Sequence, residues 1–350
     1  IYEGQDLAFS VPVRNVFDVP MDSLLVKYWV VDNNNITHPI SYARQDSLRV
    51  GGTLHDTVHF TSQGLKGFSS LWMEVNPYVN GSLYQKDQPE QYHFNNVLQY
   101  PFFVNNDNIN PLLDVTFDGR HILNGDIINP KSEIVISLKD ENPYLVMNSD
   151  ADTTLFGIYL TPPSGQMVRV PFMRNGEPNL HWTPAENNHK RFKINYPANF
   201  TQDGKYRLTV QGADKSGNLS GDVQYKVDFE VINGSSITNM MNYPNPFSTS
   251  TRFVFTLTGT EVPDDIIIQI MTVSGRVVRE ITEDQLGPIH IGRNVTEYAW
   301  DGRDEFGDQL ANGVYIYTVK ARINGENIEH RESGADQYFK KNFGKMYLLR

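Results

Sequence analysis

Residues 203–231, which read DGKYRLTVQGADKSGNLSGDVQYKVDFEV, decide the fold class of this chain. Two runs in this stretch carry an apolar side chain at every second position: Tyr206, Leu208 and Val210, and then Tyr225, Val227, Phe229 and Val231. A period of two places these side chains on one face of a β-strand, so each run predicts a strand with that face in a core. The segment between the runs is rich in Gly, Asp, Asn and Ser, which predicts a loop.

The same alternation recurs along the chain, for example at residues 7–13, 24–30 and 253–257. No helical stripe extends beyond about two turns. Nine Asn-Gly or Asp-Gly pairs accompany these runs, at residues 80–81, 118–119, 124–125, 175–176, 203–204, 233–234, 301–302, 312–313 and 324–325. Such pairs are preferred in type I′ turns, where both central residues need a positive φ. The pairs therefore predict hairpins throughout the chain.

Two polar stretches, residues 105–111 and 233–236, interrupt the apolar pattern and predict domain boundaries. They divide the chain into residues 1–106, 107–235 and 236–350. Short strands with turn signals between them, in units of roughly 100 residues, are typical of immunoglobulin-like sandwiches. We therefore predict an all-β fold, a tandem array of three immunoglobulin-like or fibronectin III-like β-sandwiches.

Composition excludes several function classes. The 350 residues contain no Cys, which rules out disulfides, thiolate metal sites and a cysteine nucleophile within this chain. A formal charge of −11 argues against nucleic acid as a partner. Apolar runs are far shorter than the roughly 20 residues of a membrane-spanning helix. The sequence opens at Ile1 without a leader pattern, and we interpret it as a fragment of a longer, exported protein.

The third unit carries the most specific resemblance to known families. Its motifs are the residues Asn242, Tyr243, Pro244, Asn245, Pro246 and Phe247, the residues Trp300, Asp301 and Gly302, and the stretch 310–315, LANGVY. This order resembles the Ig-like domain of the flagellar hook-capping family and the C-terminal sorting domain of type IX secretion in Bacteroidetes. The first unit is similar to the cell-adhesion-related bacterial domain, on residues 75–77, 88–90 and 94–96. The serial arrangement resembles the C-terminal region of gingipain-type cysteine peptidases and sortases, which implies that a catalytic Cys and His lie upstream.

Physical chemistry gives the motif residues structural roles as well. Pro244 and Pro246 fix φ and have no amide proton, so we expect residues 242–247 to enter a sheet as an extended edge segment. Trp300 is expected to anchor the core.

The resemblance implies that the end of the third unit binds a partner. The expected partner-facing residues are Lys340, Lys341, Gly344, Lys345, Met346, Tyr347, Leu348, Leu349 and Arg350. A partner could add main-chain hydrogen bonds at a free strand edge. In that case, a chain without residues 345–350 should fold and fail to bind. The alternative is that this strand only completes its own sheet.

The sequence predicts no catalytic site and no cofactor site in this chain. There is no nucleophile elbow, phosphate loop or dinucleotide fingerprint, although paired carboxylates across strands are not visible in a sequence. His55 and His59 have a helical metal spacing but lie in a strand-like run. Asp301, Asp304 and Asp308 form a weak calcium candidate, against the alternative of a solvated acidic hairpin. Four aromatic residues could stack on sugars or serve in packing: Trp72, Tyr78, Tyr84 and Trp182.

The leading functional hypothesis is a non-catalytic C-terminal region of a large exported bacterial protein. Its last sandwich would dock to an outer-membrane or secretion-machinery protein, at the cell surface or outer membrane. Two alternatives remain open: an accessory region of a gingipain-type peptidase or sortase, and a carbohydrate-binding or adhesive surface module.

Overall fold

Strands form nearly all of the regular structure in residues 1–79, 85–186, 191–331, 339–340 and 342–350, which the computed structural model describes. Within this part of the chain the helices are a 3₁₀-helix at Asp150–Leu155 and an α-helix, α1, at Glu283–Leu286. The all-β, Ig-like sandwich prediction is confirmed. None of the helices in the described ranges has the length and hydropathy needed to cross a membrane.

The first sandwich packs a two-stranded sheet against a four-stranded one. Its strands are β1 (Asp6–Arg14), β2 (Leu25–Val31), β3 (Thr37–Arg44), β4 (Thr53–Thr61), β5 (Gly67–Val75) and β6 (Val97–Val104). β1 pairs with β4, and the order β3-β2-β5-β6 forms the larger sheet. The core lies between the sheets, where Tyr28, Leu71 and Met73 are buried. The smaller sheet is narrower than the larger one, so Tyr100 at the edge strand β6 stays half exposed.

The second sandwich contains a five-stranded and a four-stranded sheet. Its strands are β7 (Leu112–Phe117), β8 (Asp126–Ile128), β9 (Glu133–Lys139), β10 (Phe156–Thr161), β11 (Val168–Arg169), β12 (Met173–Arg174), β13 (Glu177–Pro178), β14 (His181–Thr183), β15 (Arg191–Pro197), β16 (Gly204–Gly212) and β17 (Tyr225–Val231). The sheet orders are β11-β10-β16-β17-β8 and β14-β15-β9-β7, and β12 with β13 forms a small hairpin. Leu208 lies opposite Val227 and Tyr206 opposite Phe229, on the face that the alternation predicted to be buried.

The third sandwich has the most completely buried aromatic core. Its strands are β18 (Ser236–Tyr243), β19 (Arg252–Thr258), β20 (Asp265–Thr272), β21 (Val277–Ile281), β22 (Gly292–Val295), β23 (Gly313–Ile323), β24 (Glu326–Asn327), β25 (Glu329–His330), β26 (Phe339–Lys340) and β27 (Phe343–Leu348). The orders are β22-β19-β18-β25 and β21-β20-β23-β27-β26, with β24 paired to β23. Trp300 is fully buried against Phe247 and Tyr315, and its indole donates to the Arg303 carbonyl at 2.8 Å. Trp300 is therefore a core residue.

Each sandwich has its own hydrophobic cluster, within residues 7–104, 115–231 and 237–348. Each cluster lies inside one predicted unit, while the boundaries themselves stay a prediction.

The turn prediction was right for only part of the Asn-Gly and Asp-Gly set. Both residues have a positive φ at 118–119, 175–176 and 324–325, as a type I′ turn requires. Residues 80–81 lie outside the described residues, and in the other five pairs the Asn or Asp keeps a negative φ. One reason is visible at Asn124, whose side chain accepts a hydrogen bond from the Asp228 amide and so connects two strands.

Candidate functional site

The motif at residues 242–247 lies beside strand β27, which follows it by 100 residues. Asn245 donates from Nδ2 to the Lys345 carbonyl at 2.9 Å and accepts from the Tyr347 amide at 3.0 Å. The Phe247 amide donates to the Tyr347 carbonyl at 2.9 Å, and its carbonyl accepts from the Leu349 amide at 2.9 Å. We call residues 245–247 together with β27 the clamped strand.

The clamped strand corrects two expectations. Residues 242–247 are an extended edge segment only in part: Asn242 and Tyr243 end strand β18, residues 244–246 bend, and Phe247 pairs with Leu348 of β27. The outer edge of β27 also has no row of free main-chain groups. Residues 245–247 and β26 pair with one edge, and β23 pairs with the other. Strand addition at β27 is therefore blocked in the folded domain.

The two faces of β27 differ in their surroundings. Met346 and Leu348 are fully buried in the core. Gly344 is buried against the Tyr317 ring, where a Cβ atom would overlap the ring, so only glycine fits. Lys345, Tyr347 and Leu349 are exposed. The strand thus completes its own sheet and also presents a row of three side chains to solvent.

Arg350 forms hydrogen bonds with residues of its own sandwich. Its amide donates to Asn312 Oδ1 at 2.9 Å, its carbonyl accepts from Asn312 Nδ2 at 3.0 Å, and its guanidinium donates to the Asp301 carbonyl. Gly302 packs beside Leu348 and Arg350. Of the other expected partner-facing residues, Lys341 and the side chain of Lys340 lie outside the described part of the chain.

The structure does not gather Asp301, Asp304 and Asp308 into a metal-ligand group within the described ranges. Asp304 Oδ1 accepts from the amides of Phe306 and Asp308 at 3.0 and 2.9 Å, and Asp301 lies beside the Arg303 guanidinium at 3.2 Å. These contacts are those of a hydrogen-bonded acidic turn and favour the alternative of a solvated acidic hairpin, while calcium binding at these residues stays a prediction.

A different group of carboxylates forms where the first two sandwiches meet. One carboxylate oxygen from each of Asp107, Asp140 and Asp214 lies within 4.8 Å of the other two. Burial, together with the charges of Asp214 and Asp107, raises the pKa of Asp140 to about 6. This group was not predicted from the sequence. The only sequence signal for it is an acidic residue in each of three polar segments, at the linker and just after β9 and β16.

Two half-buried aromatic residues lie side by side on the outer face of the larger sheet in the first sandwich. Trp29 on β2 and Trp72 on β5 stand opposite each other, alternate with buried residues, and stack with ring centroids 5.9 Å apart and planes 5° apart. Lys27 lies over the Trp29 ring at 4.9 Å. Trp72 therefore points away from the core and packs across the strands on Trp29, which is one of the two roles expected for it.

The other aromatic and histidine candidates have local roles. Trp182 packs on Phe192 at 5.3 Å and donates to Asp150 at 3.1 Å, and Tyr78 packs against His93. Tyr84 lies outside the described residues. His55 and His59 are exposed on strand β4, as the strand interpretation predicted.

These sheets define a tandem array of Ig-like β-sandwiches, a class that many binding and scaffolding proteins share. No protein-family model and no curated protein sequence matches the chain. Among solved structures, the chain is similar to dimeric latent PorU from Porphyromonas gingivalis, with 13% identity and a TM-score of 0.26 over 100% of this chain and 32% of that one.

Two further structures show similarity over most of the chain. One is SGBP-B of the Bacteroides ovatus mixed-linkage glucan utilization locus, in complex with a mixed-linkage heptasaccharide, with 14% identity and a TM-score of 0.28 over 97% of this chain and 63% of that one. The other is a tetra-tandem repeat in the extending region of a large adhesion protein, with 11% identity and a TM-score of 0.25 over 98% and 75%. The chain spans about a third of PorU and less than two thirds of SGBP-B. At such low TM-scores these structures carry no argument about function.

Proposed function

We propose that this chain is a non-catalytic C-terminal region of an exported protein, and that its third sandwich docks to an outer-membrane or secretion-machinery protein. The observation that carries this proposal is the adjacency of two segments that the sequence singled out separately. The motif at residues 242–247 and the strand β27 form one continuous surface, joined through both hydrogen-bonding groups of the Asn245 side chain.

In this proposal, the partner recognises exposed side chains and does not pair with the main chain of β27. The main-chain edge of β27 is already paired, so a partner would contact the exposed row Lys345, Tyr347 and Leu349. An amphipathic Tyr beside an apolar and a basic side chain suits a protein surface with apolar and acidic groups.

The row is tested by the triple variant Lys345→Glu, Tyr347→Ser and Leu349→Ser. We expect it to keep the wild-type melting temperature within a few degrees and to lose at least about tenfold in affinity, a loss of about 1.4 kcal/mol. The measurement is co-sedimentation with outer-membrane vesicles of a Bacteroidetes host, compared with protein-free liposomes of the same lipids. Val277→Ser with Val295→Ser, on exposed positions of β21 and β22, is the matched control. Wild-type binding by the triple variant would refute the docking surface.

Deletion of residues 345–350 does not test docking alone, because it also removes part of the core. It removes Met346 and Leu348 from the core, and losses of about 2–5 kcal/mol for each large buried side chain would unfold the third sandwich. We therefore expect the shortened chain to unfold in its third sandwich, contrary to the expectation from the sequence.

A peptidase or sortase context is compatible with the same role. In that case the sandwiches would position a catalytic domain located upstream. This chain should then show no peptidase activity by itself, whereas a longer protein that contains it should cleave its substrate. Activity in the isolated chain would contradict the non-catalytic role.

A carbohydrate-binding role is the second candidate, and the stacked Trp29 and Trp72 favour it. The two indole rings are parallel and half-buried on the sheet face away from the core, and their exposed parts offer a surface for the apolar faces of sugar rings. We expect glycan-array binding that Trp72→Ala abolishes and that Phe306→Ala, at an exposed aromatic in the third sandwich, leaves unchanged. Absence of binding to any glycan would end this candidate.

A further inference from the structure

Three carboxylates from separate segments converge between the first and second sandwiches. Asp107 belongs to the connection between β6 and β7, Asp140 follows β9, and Asp214 follows β16. Their nearest oxygens lie within 4.8 Å of one another. Asp140 is only 6% exposed and Asp214 only 1%. Like charges at this separation repel each other strongly when they are shielded from water.

The hydrogen bonds hold two of the three carboxylates in place. Asp107 accepts from the Ile109 amide and from Asn142 Nδ2, both at 3.1 Å. Asp214 accepts from the amide and the Nδ2 of Asn218, at 2.8 and 2.9 Å. Asn218 Nδ2 also donates to the Asp107 carbonyl at 3.0 Å, so one amide side chain connects the linker to the second sandwich.

Asp140 is different, because one of its oxygens is left without a partner. Oδ1 accepts a long bond from the Asn142 amide at 3.3 Å, and the Glu141 amide also lowers the pKa of this carboxyl, whereas Oδ2 is buried and has no well-aligned hydrogen-bond donor among the described residues. A buried carboxylate oxygen of this kind needs a compensating positive group. Lys66 is occupied nearby, with Glu3 at 3.7 Å and the Ser216 carbonyl at 3.2 Å.

We propose that Asp107, Asp140 and Asp214 bind a calcium ion at the junction of the first two sandwiches. All the ligand atoms on offer are hard carboxylate oxygens, which suit Ca²⁺, and their number and burial suit it better than Mg²⁺, which keeps several waters. The ion would neutralise the repulsion among the three charges and supply the missing partner of Asp140 Oδ2.

Binding would also fix the linker. Asp107 belongs to residues 105–111, which link the first two sandwiches, while Asp140 and Asp214 belong to the second sandwich. Asn142 also donates to the Glu3 carbonyl at 3.4 Å, and the Glu3 amide donates to the Asn105 carbonyl at 3.2 Å, so the first sandwich is connected to the same point. Calcium would therefore make the junction stiffer and more resistant to proteolysis.

The test is calcium titration of the whole 350-residue chain after removal of divalent ions with a chelator. We expect calorimetry to show one Ca²⁺ bound per chain, a higher melting temperature with Ca²⁺ than with EDTA, and slower cleavage between residues 105 and 111. Asp140→Asn and Asp214→Asn should each weaken binding at least about tenfold. Asp304→Asn, in the acidic turn of the third sandwich, is the matched control and should bind as the wild type does.

Two results would overturn the proposal. One is the absence of both heat and thermal shift at millimolar Ca²⁺. The other is wild-type binding by the Asp140→Asn, Asp214→Asn double variant. If either buried variant fails to fold, Asp107→Asn decides the question, because Asp107 is partly exposed and its loss leaves the second sandwich intact.

Discussion

The two junctions between neighbouring sandwiches differ in the chemical groups that form them. At the first, side-chain charges and amides meet: the three carboxylates, Asn142, Asn218, and the Lys66 ammonium. At the second, main chain meets main chain. The Gly259 amide donates to the Ile232 carbonyl at 3.0 Å, and Gly292 lies directly against the Ile127 carbonyl. The first junction should therefore respond most to ions and charge, and the second most to shape, with a smaller response to the protonation of His290.

The largest effect is expected from adding one methyl group at the second junction. A Cβ at residue 292 would lie 2.8 Å from the Ile127 carbonyl oxygen, and φ there is +105°. Overpacking and backbone strain together should lower the free energy of unfolding by about 2–4 kcal/mol in Gly292→Ala. Thermal denaturation measures this loss.

Gly307 supplies the matched control for that variant. Its φ is +88°, but a Cβ there would meet nothing within 4 Å. Gly307→Ala should lose only about 1 kcal/mol, from backbone strain alone. Equal losses in the two variants would mean that the contact with Ile127 does not matter and that the contrast between the junctions is false.

A smaller effect is expected from removing one charge at the first junction. Lys66→Met keeps the aliphatic stem but leaves the Glu3 carboxylate, which is 3% exposed, without its cation. The loss should be about 1–2 kcal/mol in denaturant unfolding, limited by the solvent around the half-exposed lysine. Adding Glu3→Gln should restore part of it. A double variant that is less stable than Lys66→Met would argue against a charge-based junction.

The smallest effect is a pH dependence of the second junction. Burial, and then the charge of Arg120, lower the pKa of His290 below its ordinary value of 6.5. The folded state thus favours neutral imidazole. As the pH falls through that value, the unfolded chain takes up a proton that the folded chain resists, and stability is lost.

The comparison of wild type with His290→Gln isolates this contribution. At about pH 8 the imidazole is neutral in both states and contributes no titration effect, so acidification to about pH 5 should destabilise the wild type more than the variant. Melting temperatures of both proteins at the two pH values measure this difference in destabilisation. Parallel curves for the two proteins would exclude His290 as the source.

Sequence periodicity predicted the strands well because period two is a local property. It determined β16 and β17 and the faces they bury. It also separated the two faces of β5, where Leu71, Met73 and Val75 form the core face and the half-buried Trp72 lies on the other. The Asn-Gly pairs predicted turns but not turn types, because the Asn side chain can also connect strands, as Asn124 does.

The candidate sites were less predictable because they depend on distant contacts. The absence of amide protons at Pro244 and Pro246 could be inferred, but the path of the segment along β27 depends on pairing across 100 residues. The convergence of Asp107, Asp140 and Asp214 has the same cause. Each residue sits in an ordinary polar loop, and only the packing of the sheets brings the three together.

The position of β27 has a consequence for the order of folding. β27 supplies Met346 and Leu348 to a core whose first strand begins at Ser236, so the third sandwich closes over a contact of very long sequence separation. Such contacts form slowly. A chain synthesised only as far as residue 330 lacks β27 and leaves the core side chains that pack on Met346 and Leu348 without those partners. The third sandwich can therefore complete its core only after its last strand has been synthesised.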